Sequence, residues 1–254
     1  LTTATVQAGI ETVTLAAGSN GGTVTFEAGA KALALGTASV GTLTVNDTGL
    51  AVTDTLDITT SKTANSTGAQ DMTINGFETV SLSTNTATAK TIDNVTVNGD
   101  PDADGVVTAA TLTLSGAASL THANAAVVTL GVAAGAGTID ASAMTGRFMA
   151  NIDSAVAADD DSSLVTGSGD DYVDYMGALN HAADTGAGND YVDASNMLGL
   201  GSITTGAGDD MVDAGAMGAF GDVIGDQDNG GRDSAASIDT GAGDDTVTVG
   251  AMAS

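Results

Sequence analysis

The sequence predicts an all-β protein: a solenoid-like stack of short strands over residues 1–130, followed by a parallel β-roll over residues 131–254. Three observations predict it. Thr and apolar residues alternate in short runs through the first half, a nine-residue segment recurs four times without gaps in the second, and 35 Gly among 254 residues mark frequent tight corners. No stretch holds a helical period for long.

In chain order the alternating runs are Thr12-Val-Thr-Leu15, Thr23-Val-Thr-Phe26, Thr42-Leu-Thr-Val45, Thr79-Val-Ser-Leu82, Asn94-Val-Thr-Val97 and Thr111-Leu-Thr-Leu114. Period two with β-branched residues is the signature of a strand with one face buried. Gly9-Ile-Glu-Thr-Val-Thr-Leu15 and Gly76-Phe-Glu-Thr-Val-Ser-Leu82 are near copies, which implies an internal duplication or a recurring structural corner. The four long copies follow: Thr166-Gly-Ser-Gly-Asp-Asp-Tyr-Val-Asp174, Thr185-Gly-Ala-Gly-Asn-Asp-Tyr-Val-Asp193, Thr205-Gly-Ala-Gly-Asp-Asp-Met-Val-Asp213 and Thr240-Gly-Ala-Gly-Asp-Asp-Thr-Val-Thr248. Their register extends outward, with Leu164, Ala183, Ile203 and Ile238 two places before each Thr, and Met197, Met217 and Met252 at a common place after the last three. Spacings of 19, 20 and 35 residues separate the copies. The first two fit one coil of two strands and two turns, and the third adds a Gly/Asp-rich loop around residues 220–234. Gly135-Ala-Gly-Thr-Ile-Asp-Ala-Ser-Ala-Met144 reads as the same coil without its acidic pair, so the roll begins near residue 131.

Charge narrows the function. Lys and Arg number 5 against 32 acids, for a net charge of -27, and 29 of the acids are Asp because only Glu11, Glu27 and Glu78 are Glu. Residues 151–254 hold 20 of those acids and only Arg232, a net of -19. No basic face exists for nucleic acid or for anionic membrane surfaces. The absence of Cys removes disulfides, thiolate metal sites and cysteine nucleophiles. The longest weakly polar run, 123–137, is broken by Asn124, Thr129 and Gly131, so no direct membrane insertion is expected. Asp in this excess beside Gly points to turns and to ligation of a hard cation.

The four copies resemble the RTX (repeats-in-toxin) nonapeptide Gly-Gly-x-Gly-x-Asp-x-apolar-x, with Thr in the first Gly's place. The Gly-Ile/Phe-Glu-Thr-Val segments and Thr138-Ile-Asp-Ala-Ser-Ala-Met-Thr-Gly146 are similar to segments of RTX-type bacterial surface-layer proteins. This resemblance implies Ca2+ as the bound ion. Its expected ligands are the second- and fourth-place glycines Gly167, Gly169, Gly186, Gly188, Gly206, Gly208, Gly241 and Gly243, through backbone carbonyls, and the sixth-place Asp171, Asp190, Asp210 and Asp245. One motif per coil implies calcium on a single edge of the roll. The physics agrees. Stacked coils repeat at about 4.8 Å, where two carboxylates repel by roughly 1 kcal/mol in water and by about 3–4 at an effective dielectric near 20. Asp170, Asn189, Asp209 and Asp244 crowd each corner further.

Weaker constellations remain. Asp100-Pro-Asp102-Ala-Asp104-Gly matches the start of an EF-hand-type loop but lacks its terminal Glu, so a calcium site and a plain acidic hairpin both stay open. Asp226-Gln-Asp-Asn-Gly230 and Asp159-Asp160-Asp161 read as a solvated loop and a link between the halves. His122 and His181 have no partner at ligand spacing, the Gly-x-Gly elements lack the Lys of a phosphate loop, and no nucleophile elbow is present, so no enzyme is expected.

The expected function is a secreted structural protein, extracellular or on the cell surface, whose partner is itself in a homo-oligomeric surface layer or filament, with cell-surface polysaccharide as a further candidate partner. The alternatives are an RTX calcium-folding module of a larger secreted adhesin, toxin or enzyme, and an adhesin stalk that binds carbohydrate. The chain starts at Leu1 with no signal peptide and stops within its repeat pattern at Ser254, which reads as a segment of a longer protein. The RTX resemblance also implies type I secretion.

Overall fold

The structure is a computed structural model. It describes residues 3–7, 10–15, 20–27, 30–35, 40–48, 54–60, 71–84, 90–91, 95–98, 111–116, 120–121, 127–131, 137–154, 162–175, 181–195, 202–214 and 237–249. Among them are 23 strands and no helix. Every pairing among the described strands is parallel, and together they build two sheets of 13 and 10 strands.

Apart from two short two-residue strands, successive strands alternate between the sheets, which is the topology of a two-sided solenoid. The first sheet takes Thr3–Val6, Asn20–Phe26, Val40–Asp47, Met72–Asn75, Val95–Asn98, Val127–Gly131, Phe148–Ser154, Tyr172–Tyr175, Tyr191–Ala194, Met211–Ala214 and Thr246–Val249, with the short Lys90–Thr91 and Leu120–Thr121 beside this path. The second takes Thr12–Leu15, Lys31–Leu35, Thr55–Thr60, Thr79–Thr84, Thr111–Gly116, Thr138–Met144, Ser162–Val165, His181–Asp184, Ser202–Thr204 and Ser237–Asp239. Pairing runs without a break across residue 131. Thr111–Gly116 pairs with Thr138–Met144, and Val127–Gly131 pairs with both Val95–Asn98 and Phe148–Ser154. The two halves, unlike in composition, share one pair of sheets.

The period-two pattern explains the core. In each strand alternate side chains point between the sheets, so Val24, Phe26, Val45, Ile58, Ile74, Val80, Leu82, Val97, Leu112 and Ile139 are buried while the intervening Thr, Ser and Asn face outward. Phe26 and Phe77 meet edge-on at 6.4 Å. Outward rows form ladders of like residues. Thr3, Thr23, Thr44, Thr73 and Thr96 lie in one register, and Asn75 and Asn98 each donate a side-chain amide to the Asn of the coil before, Asn46 and Asn75, at 2.8 and 2.7 Å.

The Gly-Phe-Glu copy is a corner between the sheets. Gly76 turns with φ +81, Phe77 enters the core, and the Glu78 carboxylate accepts the N–H of Asp54 in the preceding coil. Glu11 in the earlier copy is exposed, as is Ile10 at 50 %. The copies are not in one register: the ladder from Val13 runs through Leu33 and Ile58 to Leu82, two residues beyond Val80. The motif is therefore a corner used twice at different phases of the coil.

In the second half the repeat register holds as read. Ile139, Leu164, Ala183, Ile203 and Ile238 form one ladder, and Val173, Val192, Val212 and Val247 another. The eighth-place Val is fully buried at 173, 192 and 212 but 42 % exposed at 247, because Thr246–Val249 is the last strand of its sheet among the described residues. The loop expected around 220–234 and the Met series at 197, 217 and 252 lie outside the described residues. Even so, Met211–Ala214 pairs directly with Thr246–Val249, so the extra residues leave the stack intact.

The two Val environments make a test. Val212→Ala should cost about 2 kcal/mol in urea unfolding, since it empties a packed site, whereas Val247→Ala should stay within about 0.5 kcal/mol. Equal losses would contradict the assigned coil order.

Candidate metal-binding edge

The four nonapeptides form the turns that lead from the second sheet into the first, stacked on one edge of the solenoid. Glycine sets their spacing. Gly206 has φ +88, and a Cβ there would stand 1.8 Å from the Gly186 carbonyl oxygen; at Gly208 it would stand 1.8 Å from that of Gly188. Only glycine lets one corner lie against the next this closely. The alanines between them bridge in parallel, Ala187 to Ala207 and Ala207 to Ala242.

The sixth-place Asp residues form a ladder running one way. Asp171 Oδ1 accepts the N–H of Phe148 at 2.7 Å, Asp190 that of Asp171 at 2.8 Å, Asp210 that of Asp190 at 2.8 Å, and Asp245 that of Asp210 at 3.0 Å. Each carboxylate thus reaches back to the preceding coil. The fifth place runs the other way: Asp170, Asn189 and Asp209 accept the N–H of Asn189, Asp209 and Asp244 in the following coil, at 2.8 to 2.9 Å. A third row lies inside, where the buried Thr166, Thr185 and Thr205 donate their hydroxyls to the carbonyls of Thr185, Thr205 and Thr240. The Thr that departs from the RTX pattern is therefore an inter-coil bond, which a motif comparison counts only as a mismatch.

Electrostatics leaves one oxygen per corner unsettled. Asp171, Asp190 and Asp210 are each 2 % exposed, and Oδ2 of each is buried without a hydrogen bond. The Thr166 hydroxyl and the Gly167 N–H stand beside the Asp171 carboxylate and the Thr185 hydroxyl beside that of Asp190, although Thr166 and Thr185 donate to the carbonyls of Thr185 and Thr205. Burial raises the Asp171 carboxyl above its usual range, opposed chiefly by the Phe148 N–H. Burial likewise pushes Asp190 up to about 6, and the charges of Asp171 and Asp210 add to the rise.

Three buried, unpartnered carboxylate oxygens in a row fit a hard cation. The backbone contribution is more constrained than the spacing implied. The carbonyls of Gly167, Gly186 and Gly206 already accept the N–H groups of Ala187, Ala207 and Ala242, at 3.1, 3.1 and 2.8 Å. Each keeps one lone pair for a metal. Among the described residues no group of three or more His, Cys, Asp or Glu is placed to hold a metal.

The sequence-predicted residues divide as follows. Gly167, Gly169, Gly186, Gly188, Gly206, Gly208, Gly241, Gly243, Asp171, Asp190, Asp210 and Asp245 come together on this one edge. Asp100, Asp102 and Asp104, with Asp226, Asp228, residues 159–161 and His122, lie outside the described residues. His181 begins a strand of the second sheet. Arg147 and Phe148, at the fifth and sixth places of the coil before the acidic ones, were missed; the deleted Asp pair in that coil was the signal for them. On the outer face beside this edge, Tyr172 and Tyr191 stack at 5.1 Å next to the in-register Asp174, Asp193 and Asp213. No protein-family model, no curated protein and no solved structure matches the chain.

Two measurements test this geometry. Gly206→Ala should destabilise the chain by about 3 kcal/mol through strain and overlap, while Ala207→Gly should cost no more than about 1. In the presence of chelator, acid should stabilise the roll. A carboxyl whose pKa is raised on folding favours the folded state most when protonated, below its ordinary 3.8, and that contribution is lost as pH rises through about 6. The melting temperature should therefore fall between pH 4 and pH 7, and Asp190→Asn should show a shallower fall; an identical slope in the variant would refute the burial assigned to Asp190.

Proposed function

We propose that this chain is part of a secreted, calcium-dependent structural protein that self-assembles into a bacterial surface layer or an extracellular filament. The observation that carries the reading is the row of buried, unpartnered Oδ2 atoms on Asp171, Asp190 and Asp210 along a single edge. Their carboxylates, with the corner carbonyls, make an all-oxygen donor set of flexible geometry. That set suits Ca2+, which takes six to eight oxygens, better than Mg2+, which demands a near-ideal octahedron.

The energetics support a cation that matters to folding. At tenfold excess over its dissociation constant, each bound ion adds about 1.4 kcal/mol to the folded state. A row of such ions offsets the repulsion within residues 151–254, whose 20 acids face one Arg. Low cytosolic calcium would leave this half expanded and suited to export, and extracellular calcium would close it. The RTX resemblance supports the same route, through type I secretion. The uncharged outward rows of Thr and Asn in the first half suit lateral packing of copies or contact with cell-surface polysaccharide. No catalysis is assigned to the chain.

Purified protein titrated with calcium and imaged by electron microscopy tests the assignment. Ordered sheets or filaments that appear with calcium and vanish in chelator are expected. A protein that folds with calcium yet stays dispersed would replace assembly with the calcium-folding module of a larger adhesin, toxin or enzyme. In calorimetry Asp190→Ala should lower the calcium stoichiometry more than Asp245→Ala, because Asp190 lies between two acidic neighbours; equal stoichiometry in both variants and the parent would sink the ladder of sites.

A further inference from the structure

The acidic coils are built on a coil that is not acidic. By strand register, Arg147 and Phe148 occupy the places filled elsewhere by Asp170-Asp171, Asn189-Asp190, Asp209-Asp210 and Asp244-Asp245. Phe148 contributes the donor that Asp171 Oδ1 accepts, and no carboxylate of its own. Arg147 brings positive charge near Asp171. Its core holds Ile139, Met144 and Phe148, each at most 1 % exposed, and the next coil adds Leu164, Val173 and Tyr175. Beyond those two the buried residues shrink to Ala183, Val192 and Ala194, then Ile203, Val212 and Ala214, and the last described strand exposes Val247 and Val249.

The ladder has a direction. Every sixth-place carboxylate accepts from the coil on its N-terminal side, so an arriving coil brings the acceptor to a donor already in place. The first donor belongs to a coil held by Thr111–Gly116 and Val127–Gly131 in the less charged half.

We propose that residues 137–154 form a cation-independent template, on which the acidic coils dock one after another towards the C terminus. The template needs no ion because it sets no carboxylate against another. After Asp171, each coil adds a carboxylate next to the last, buried at Asp190 and Asp210 and half-buried at Asp245, and waits for the cation. This direction rests on the calcium reading above, and it fixes when each site becomes complete: the corner of Asp171 first, that of Asp245 last. A nascent or newly exported chain would thus close its edge progressively from the existing stack.

Pulsed hydrogen exchange on the full chain, diluted from urea into chelator or into calcium chloride, tests the order. In chelator the segment Phe148–Ser154 should gain protection while the acidic coils do not. With calcium, Tyr172–Tyr175, Tyr191–Ala194, Met211–Ala214 and Thr246–Val249 should gain it in that sequence. Protection of a later segment before Tyr172–Tyr175, simultaneous protection of all four, or an unprotected Phe148–Ser154 in chelator would overturn the template. If chelator and calcium give identical traces, the calcium reading fails instead, and the order of protection still judges the direction. Phe148→Ala should delay all four segments about tenfold or more, and Val247→Ala only Thr246–Val249. Should Phe148→Ala not fold, a delay of Tyr172–Tyr175 in Val247→Ala overturns the proposal by itself.

Discussion

Parallel, in-register stacking of one coil on the next is the contact from which the other features follow. Each strand gives its backbone hydrogen bonds to the coils above and below, so the two sheets can be as long as the chain supplies coils. The turns must keep the same rise of about 4.8 Å, and a corner that is too bulky would prise the strands apart. At Gly206 and Gly208 the backbone of one corner lies against the carbonyls of the last, with no room for a methyl group. The glycines are thus a condition of the sheets as much as of the turns.

Close stacking brings like residues together, and the chain turns that to use where the residues are neutral. Asn46, Asn75 and Asn98 give and accept amides in a continuous row. Thr166, Thr185 and Thr205 link coils through their hydroxyls. Acids are harder to accommodate. The structure separates neighbouring charges by letting Oδ1 of each sixth-place Asp take a backbone N–H, and by opposing the fifth-place row, where Asn189 interrupts the acids. One oxygen of each buried Asp is still left over. On the other edge the buried Glu78 carboxylate accepts the N–H of Asp54, itself a buried acid.

Much of this was legible in the sequence, for reasons tied to period. Alternation at Thr12–Leu15 or Thr111–Gly116 marks a strand because only a strand puts every second residue on one face. Gapless recurrence of Thr-Gly-x-Gly-x-Asp fixes the register of successive corners, and with it the meeting of Asp171, Asp190 and Asp210. The directions of the two hydrogen-bond rows were not legible, since they depend on how far each corner is offset from the next. Nor was the role of Phe148, which resembles no part of the motif and is found only by counting back from Tyr172 through the strand register. The phase difference between the two Gly-x-Glu-Thr corners was hidden as well, because loops of unequal length intervene between Val13 and Leu82.

Coil length varies widely along the stack. Registered partners are 20 residues apart between Thr3 and Thr23, 29 between Thr44 and Thr73, 19 between Val173 and Val192, and 35 between Val212 and Val247. The strands that carry these partners run from four to eight residues, so most of the surplus lies between strands. A gene for such a protein can therefore gain or lose material in two distinct ways. Changes between strands alter only what hangs from the rim, at a cost that grows slowly with length, whereas a single residue added within a strand turns every inward side chain outward. Selection can rewrite the decoration coil by coil while the stack beneath it keeps its pitch.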